Sequence, residues 1–256
     1  MAAIPGLILA AIVHLFVEEP PRGQHDAVAS VDDVPPMGSV IRRYMSWPTM
    51  RHMLLGSAIA SLVGFGLNAF MASYFMRRFG FSLVEAGLVS GFVAALPASL
   101  SIVGAGVVVD RWAKTNRKSH ALLPAITLAL SAPLFLLAIT RESAAFAIAL
   151  IGLAALFQYC YLGPTFASFH NMLHPRMRAT GSAFTNIIYS LLGGGLGPVV
   201  IGGLSDYFAV GQAKAGEGLA MAMGVASLFY LWVAYHYWRA SRHIETDLAR
   251  PIGLER

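Results

Sequence analysis

Residues 143–175 read SAAFAIALIGLAALFQYCYLGPTFASFHNMLHP and contain no Asp, Glu, Lys or Arg. A bilayer core of about 30 Å is crossed by about 20 helical residues rising roughly 1.5 Å each, so this stretch can span it with length to spare. Five further charge-free stretches are also long enough: His52–Met76, Ala86–Val109, Ser119–Thr140, Ala179–Ser205 and Gly218–Trp238. Met1–Val17 is a seventh, at the short end of the range. It has no basic amino-terminal region, and Val17-Glu18-Glu19-Pro20 offers no small-residue cleavage site, so it reads as the remnant of a membrane helix rather than a signal peptide. Long unbroken runs, rather than short alternating ones, exclude a β-barrel. The fold class is an all-α integral membrane protein. Its expected organisation is a remnant transmembrane helix over 1–17, a linker over 18–51, a six-helix transmembrane bundle over 52–238 and a tail over 239–256.

Composition points the same way. Of 256 residues, 57% are hydrophobic and 12% charged, and the mean hydropathy is +0.64. Soluble domains carry about twice that charge, and one soluble core of this size could not hide so much apolar surface. The single cysteine, Cys160, excludes an internal disulfide and any multi-cysteine metal site. Three lysines and no basic tract interleaved with aromatics argue against a nucleic-acid partner; the expected partner is the lipid bilayer. When the loops are assigned to alternate sides, all but four of the 18 basic residues fall on the side that holds 18–51 and the carboxyl tail. The exceptions are Arg77, Arg78, Arg141 and Lys214. The positive-inside rule then predicts a plasma-membrane protein with a cytoplasmic carboxyl terminus. Within the linker, the early part is acidic and Pro-rich, while Ser39–Trp47 is expected to form a short interfacial helix with its arginines near the headgroups and its Trp at the boundary.

No full charge lies in the middle of any predicted span, so an ion-coupled pump built from this chain alone lacks an obvious carboxylate. Glu85, at the start of the third stretch, is the nearest candidate, and it can equally be a helix-start carboxylate favoured by the macrodipole. Uncharged polar residues are more suggestive. Gln158, Tyr159 and Tyr161 fall mid-span, with Gln158 and Tyr161 on one face at i, i+3. Asn186 and Tyr189 share a face of the next span, and Asn68 lies past the middle of the second. These side chains can line a polar pathway or bond between helices, a structural role measured at about 0.6 kcal/mol on average. His170 and His174 stand at i, i+4, a zinc-like spacing, but a third ligand is lacking and no metal or cofactor is expected. Gly193 and Gly197 stand four apart, allowing close helix approach, and Pro198 is expected to bend its span.

The run Gly106-Val-Val-Val-Asp110-Arg111-Trp-Ala-Lys114-Thr-Asn-Arg117-Lys118 resembles the loop motif of the major facilitator superfamily in its C-terminal-half copy. Ala113 stands where that motif usually has glycine, and the basic pair is displaced. Gly163-Pro164 with His174-Pro-Arg-Met-Arg178-Ala-Thr-Gly181 looks like the family's tenth helix and the turn into the eleventh. Leu192-Gly-Gly-Gly-Leu-Gly-Pro198 with Gly203-Leu-Ser-Asp206 looks like the eleventh and its exit. Pro5-Gly6 and Glu18-Glu19-Pro20-Pro21-Arg22-Gly23 resemble the end of helix six in bacterial transporters of the spinster-like branch.

The resemblance implies the tail of helix six plus helices seven to twelve of a twelve-helix fold, with substrate held near the midplane between two six-helix halves that rock against each other. It implies a gating role for Gly106, Asp110 and Arg111. It also implies substrate contacts at Asn68, Gln158, Tyr161, Asn186 and Tyr189, with helix packing through Gly193, Gly197 and Pro198. The expected function is transport of a small organic solute by alternating access, the chain being a C-terminal half or fragment that lacks an N-terminal six-helix half. Alternatives are a seven-helix receptor and a membrane scaffold without transport. A retinal protein is disfavoured because every lysine lies in a loop. An enzyme is disfavoured by the absence of any clustered nucleophile, base and orienter.

Overall fold

The computed structural model describes residues 3–17, 35–210 and 216–252, and every regular element among them is helical. The early linker, Lys214 and the end of the tail lie outside the described residues. Helix α1, Ala3–Phe16, forms a unit separate from the rest of the chain; its 14 residues give about 21 Å of helix, and the side chains described on it are exposed.

The second unit, from Pro35, holds α2 (Met37–Ser46) and six helices long and apolar enough to cross a membrane. These are α3 (Pro48–Phe79), α4 (Leu83–Ala113), α5 (Ser119–Ile139), α6 (Ala144–Met172), α7 (Pro175–Ala209) and α8 (Glu217–Ser241). The short α9 follows at Ile244–Leu248. Local sequence sets the boundaries. Gly80 adopts a left-handed φ of 71° and donates to the Met76 carbonyl, ending α3. Two residues on, Ser82 opens α4 with a reciprocal capping box: Glu85 N donates to Ser82 Oγ at 3.3 Å, and Ser82 N to Glu85 Oε2 at 2.9 Å. Glu85 is therefore engaged as a helix-start carboxylate.

Helix α8 packs between α3 and α5, and α3 and α8 are the most buried spans. With no water to expel from between helices in lipid, close approach depends on small residues and interhelical hydrogen bonds. Both occur. Added Cβ atoms on Gly56 would lie 3.2 Å from His236 and Tyr237 of α8, and Ser131 of α5 donates to the Ala154 carbonyl of α6 at 3.0 Å. The same logic joins α3 to α7. A Cβ on Gly193 would lie 2.7 Å from the Phe65 ring, and one on Gly197 would lie 2.5 Å from the Leu62 carbonyl oxygen. No atom lies within 4 Å of a Cβ built on Gly106, so that glycine presents an open face to the described helices.

Two spans depart from regular α-helix. In α6 the turn Tyr159–Tyr161 tightens to 3-10 just before Pro164, whose ring nitrogen cannot donate to the Cys160 carbonyl. In α7 the stretch Tyr189–Leu196 widens to π-helix before Pro198, which occupies the first turn of the helix that resumes at Gly197. The widened turn is the structural form taken by the irregularity expected at Pro198.

One end of the bundle is tied together by the segments that follow and precede the spans. Lys118 pairs with Glu245 at 3.4 Å, placing the α4–α5 turn and the carboxyl tail on the same face. Thr49 N donates to Asp247 Oδ2 at 2.9 Å, so α9 caps the start of α3. Helix α2 differs from the interfacial helix read from sequence. Arg42 and Ile41 are exposed, but Val40, Arg43, Tyr44 and Trp47 turn into the protein, with Arg43 only 1% exposed. The i, i+3, i+4, i+7 stripe finds protein rather than lipid: Tyr44 Oη donates to the Gly181 carbonyl at 3.3 Å and lies 3.1 Å from Thr185 Oγ1. Arg43 and Arg250 both stand over the Trp47 ring, at 4.6 and 5.4 Å. Burial pushes the Tyr44 phenol up to about 12.

Candidate functional site

Helices α3, α6 and α7 enclose a cavity of about 360 Å³, and each wall is built by a local feature of its helix. On α3, the small residues Ala60, Ser61 and Gly64 open the space. A Cβ on Gly64 would come within 2.8 Å of Gln158 Nε2, so the missing side chain lets the Gln158 amide reach across. On α6, the 3-10 turn nearly eclipses side chains three apart and sets Gln158 and Tyr161 on one wall. On α7, Asn186 precedes the π-helical stretch and Tyr189 and Ser190 open it.

All five residues singled out from sequence, Asn68, Gln158, Tyr161, Asn186 and Tyr189, line this one cavity. Asn68 Nδ2 donates to Tyr159 Oη at 2.7 Å, linking α3 to α6 across the rim. Gln158 and Tyr161 are buried, whereas Asn68 and Asn186 are exposed at the mouth. Tyr189 meets Phe166 edge-on at 6.1 Å, and Tyr161 lies 6.3 Å from Tyr237 of α8, whose hydroxyl is 2.5 Å from Thr165 Oγ1. The lining is amides, hydroxyls and aromatic faces, with no acid or base among the lining residues. Such walls suit a neutral solute with an apolar body and a few hydrogen-bonding groups.

Sequence reasoning missed Ser61, Phe65 and Ser190 in the lining. Phe65 follows the small residues by one position, and nothing in a single apolar span marks which face meets a cavity. Tyr230 of α8 was missed as well: its buried hydroxyl, without a hydrogen-bond partner among the described residues, would stand 3.7 Å from a Cβ on Gly64.

The other candidates lie elsewhere. Asp110 and Arg111 are exposed at the end of α4, away from the cavity, and neither has an ion-pair partner among the described residues. His170 Nε2 is 2.8 Å from Ser182 Oγ, joining the end of α6 to α7. Its i+4 neighbour His174 caps α7 and is buried.

Comparison with known proteins agrees with this architecture. Residues 1–198 match the family model described as Major Facilitator Superfamily. An MFS-type efflux pump of Mycolicibacterium smegmatis is 29% identical over 202 residues, covering 78% of this chain and 46% of that protein. Protein spinster homolog 1 of Bos taurus is 30% identical over 235 residues, covering 79% of this chain and 42% of the relative. The crystal structure of a bacterial homolog to the human lysosomal transporter Spinster, inward-facing and unoccupied, superposes with a TM-score of 0.75 at 27% identity. It covers 97% of this chain and 59% of its own; the occupied form gives a TM-score of 0.69 at 26% identity. The chain thus spans less than half the length of the curated relatives it matches.

Proposed function

This chain belongs to the Major Facilitator Superfamily, a family of multi-pass membrane carriers, and from that premise we propose that it forms one wall of an alternating-access pathway for a small organic solute. The observation that carries the reading is the convergence of Asn68, Gln158, Tyr161, Asn186 and Tyr189 on one cavity between three membrane-spanning helices. Gln158 is buried while Asn186 opens at the mouth, so the cavity offers amides at two depths to hydrogen-bond a passing solute. The cavity walls select a neutral, partly aromatic solute; the Gln158 and Asn186 amides orient it and the tyrosine faces hold its apolar part.

The cavity is bounded by α3, α6 and α7, and a second six-helix half facing it completes the enclosure. Rocking of the two halves then exposes the solute to either side in turn. Asp110 and Arg111, exposed at the end of α4, supply a charged contact for that second half at the gate. The excess of arginine at the α2–α9 end supports a reading in which that end, with the carboxyl terminus, faces the cytoplasm across a plasma membrane. The receptor alternative explains no feature of the cavity better.

Proteoliposomes containing only this chain, assayed with the neutral aromatic tracer N-phenyl-1-naphthylamine, are expected to show no uptake above empty vesicles. Co-reconstitution with a six-helix half that completes the fold is expected to confer uptake, which Gln158→Ala and Asn186→Ala lower. Robust uptake by the chain alone would overturn the two-half reading, and full uptake by both variants would overturn the site.

A further inference from the structure

At the end of the bundle where α3 starts and α8 finishes, a cluster of basic groups faces outward beside aromatic rings, away from the cavity. His52 and His236 stand with their Nδ1 atoms 3.0 Å apart. One ring donates and the other accepts, and among the described residues neither Nε2 has a hydrogen-bond partner. Arg51, Arg239 and His243 act on His52 electrostatically together with His236, all of them basic. Arg239 Nε is buried with no hydrogen-bond partner among the described residues. The neighbouring carboxylates are engaged elsewhere, Glu245 with Lys118 and Asp247 with Arg250 and the Thr49 backbone. Arg51 and Arg239 carry their charge here with no free acid beside them, and the shared Nδ1 proton leaves the accepting imidazole with an Nε2–H to donate, a set of groups that an anion would satisfy.

The surroundings say where the anion comes from. Trp232 stacks on His236 at 6.2 Å and 26°, and Phe229 lies 6.0 Å from Trp232 one turn further into the span. Trp232, Phe229 and Leu55 are all exposed, making an apolar strip that runs from the basic cluster toward the middle of the helices. Gly56 lets His236 lie against α3, so the strip is a shallow seam between two helices. Helix α3, 32 residues and about 48 Å long, exceeds a bilayer core of about 30 Å, which leaves His52 in its second turn at headgroup depth. Aromatic residues and arginines at that depth are where lipid headgroups meet protein.

We propose that Arg51, His52, His236 and Arg239 form a binding site for the phosphate headgroup of an anionic phospholipid, whose acyl chain lies along Leu55, Trp232 and Phe229. The site is independent of the solute cavity and requires only that these helices span a bilayer. A lipid bound there stitches α3 to α8, the two most buried spans.

The test is native mass spectrometry of the full chain released from micelles holding equimolar dioleoyl-phosphatidylglycerol and dioleoyl-phosphatidylcholine. Each arginine near an anionic surface is worth about a fivefold preference, so the bound fraction should favour phosphatidylglycerol by about fivefold or more. Arg51→Gln with Arg239→Gln should bring the ratio near unity, whereas the matched removal of two exposed charges in Lys114→Gln with Arg117→Gln should leave it unchanged. His236→Glu, which sets a carboxylate against His52 while keeping both arginines, should also abolish the preference. Circular dichroism and gel filtration confirm that each variant is folded. A ratio of one in the unaltered chain, or an equal loss in the Lys114/Arg117 control, would overturn the site. Displacement of phosphatidylglycerol by equimolar inorganic phosphate would overturn the lipid as its source; retention of the lipid is expected.

Discussion

Replacing Gly197 by alanine adds one methyl group at the tightest contact between α3 and α7. The new Cβ would lie 2.5 Å from the Leu62 carbonyl oxygen and 2.9 Å from Gly66 N, both backbone atoms. Ordinary contact needs roughly 3.4 Å or more, so the two helices must part by most of an ångström. No rotamer change relieves this, because the obstructing atoms belong to the main chain. Forcing one extra methyl into such a contact costs about 1–3 kcal/mol, from which the gain in helix propensity over glycine returns about 0.5–1 kcal/mol. The two ranges bracket a net loss of about 0–2.5 kcal/mol, and the unyielding backbone contact at 2.5 Å puts the expected value at about 1 kcal/mol or more. Gly203, on the same helix, has nothing within 4 Å of its Cβ position and is the matched control: Gly203→Ala should be neutral or slightly stabilising. Both variants are compared by SDS-titration unfolding of the purified chain in mixed micelles, followed by far-UV circular dichroism. Equal stability of Gly197→Ala and the parent would refute the close α3–α7 contact, and a loss in Gly203→Ala as large as in Gly197→Ala would show that propensity rather than contact governs.

Three further outcomes are expected. Asp247→Ala removes the acceptor for Thr49 N at the start of α3 and should cost about 0.5–2 kcal/mol of unfolding free energy, the usual worth of a helix cap. Tyr44 has its phenol raised from 10.0 to about 12 by burial, so the folded state holds the proton more tightly than the unfolded. Its contribution is intact below pH 10 and is lost as pH rises from about 10 to 12, and Tyr44→Phe should flatten that alkaline fall in stability measured by pH titration of the melting temperature. Asn186→Ala, which removes one hydrogen bond to a bound solute, should weaken tracer binding by about three- to tenfold in the reconstituted two-half assembly while leaving the melting temperature of the chain near the parent's.

The spans were legible because lipid leaves a strong mark: charge-free runs such as 143–175 place helices within a few residues of where they lie. The candidate cavity was legible for a related reason. An amide inside a bilayer is expensive enough that Gln158 and Asn186 stand out without any structure, and their i+3 tyrosines follow from helical periodicity. What the sequence concealed depends on contacts between distant segments. The burial of Arg43 and Trp47 against the bundle could not be told from burial at a lipid interface, since both reward the same amphipathic stripe. The capping of α3 by Asp247 joins residues 198 apart. The 3-10 and π turns at Tyr159 and Tyr189 answer Pro164 and Pro198, but proline signals only that regular hydrogen bonding fails, not whether the helix tightens or widens.

Whether the α3–α6–α7 cavity is a solute pathway is tested most directly by water access in the native membrane. In a Cys160→Ser background, single cysteines at Asn68, Asn186 and, as an apolar exposed control on α5, Leu130 are probed with a membrane-impermeant methanethiosulfonate in intact cells and in inverted vesicles. Asn68→Cys and Asn186→Cys are expected to react from at least one side while Leu130→Cys stays inert. Asn186→Cys as unreactive as Leu130→Cys from both sides would contradict a solute pathway at this cavity.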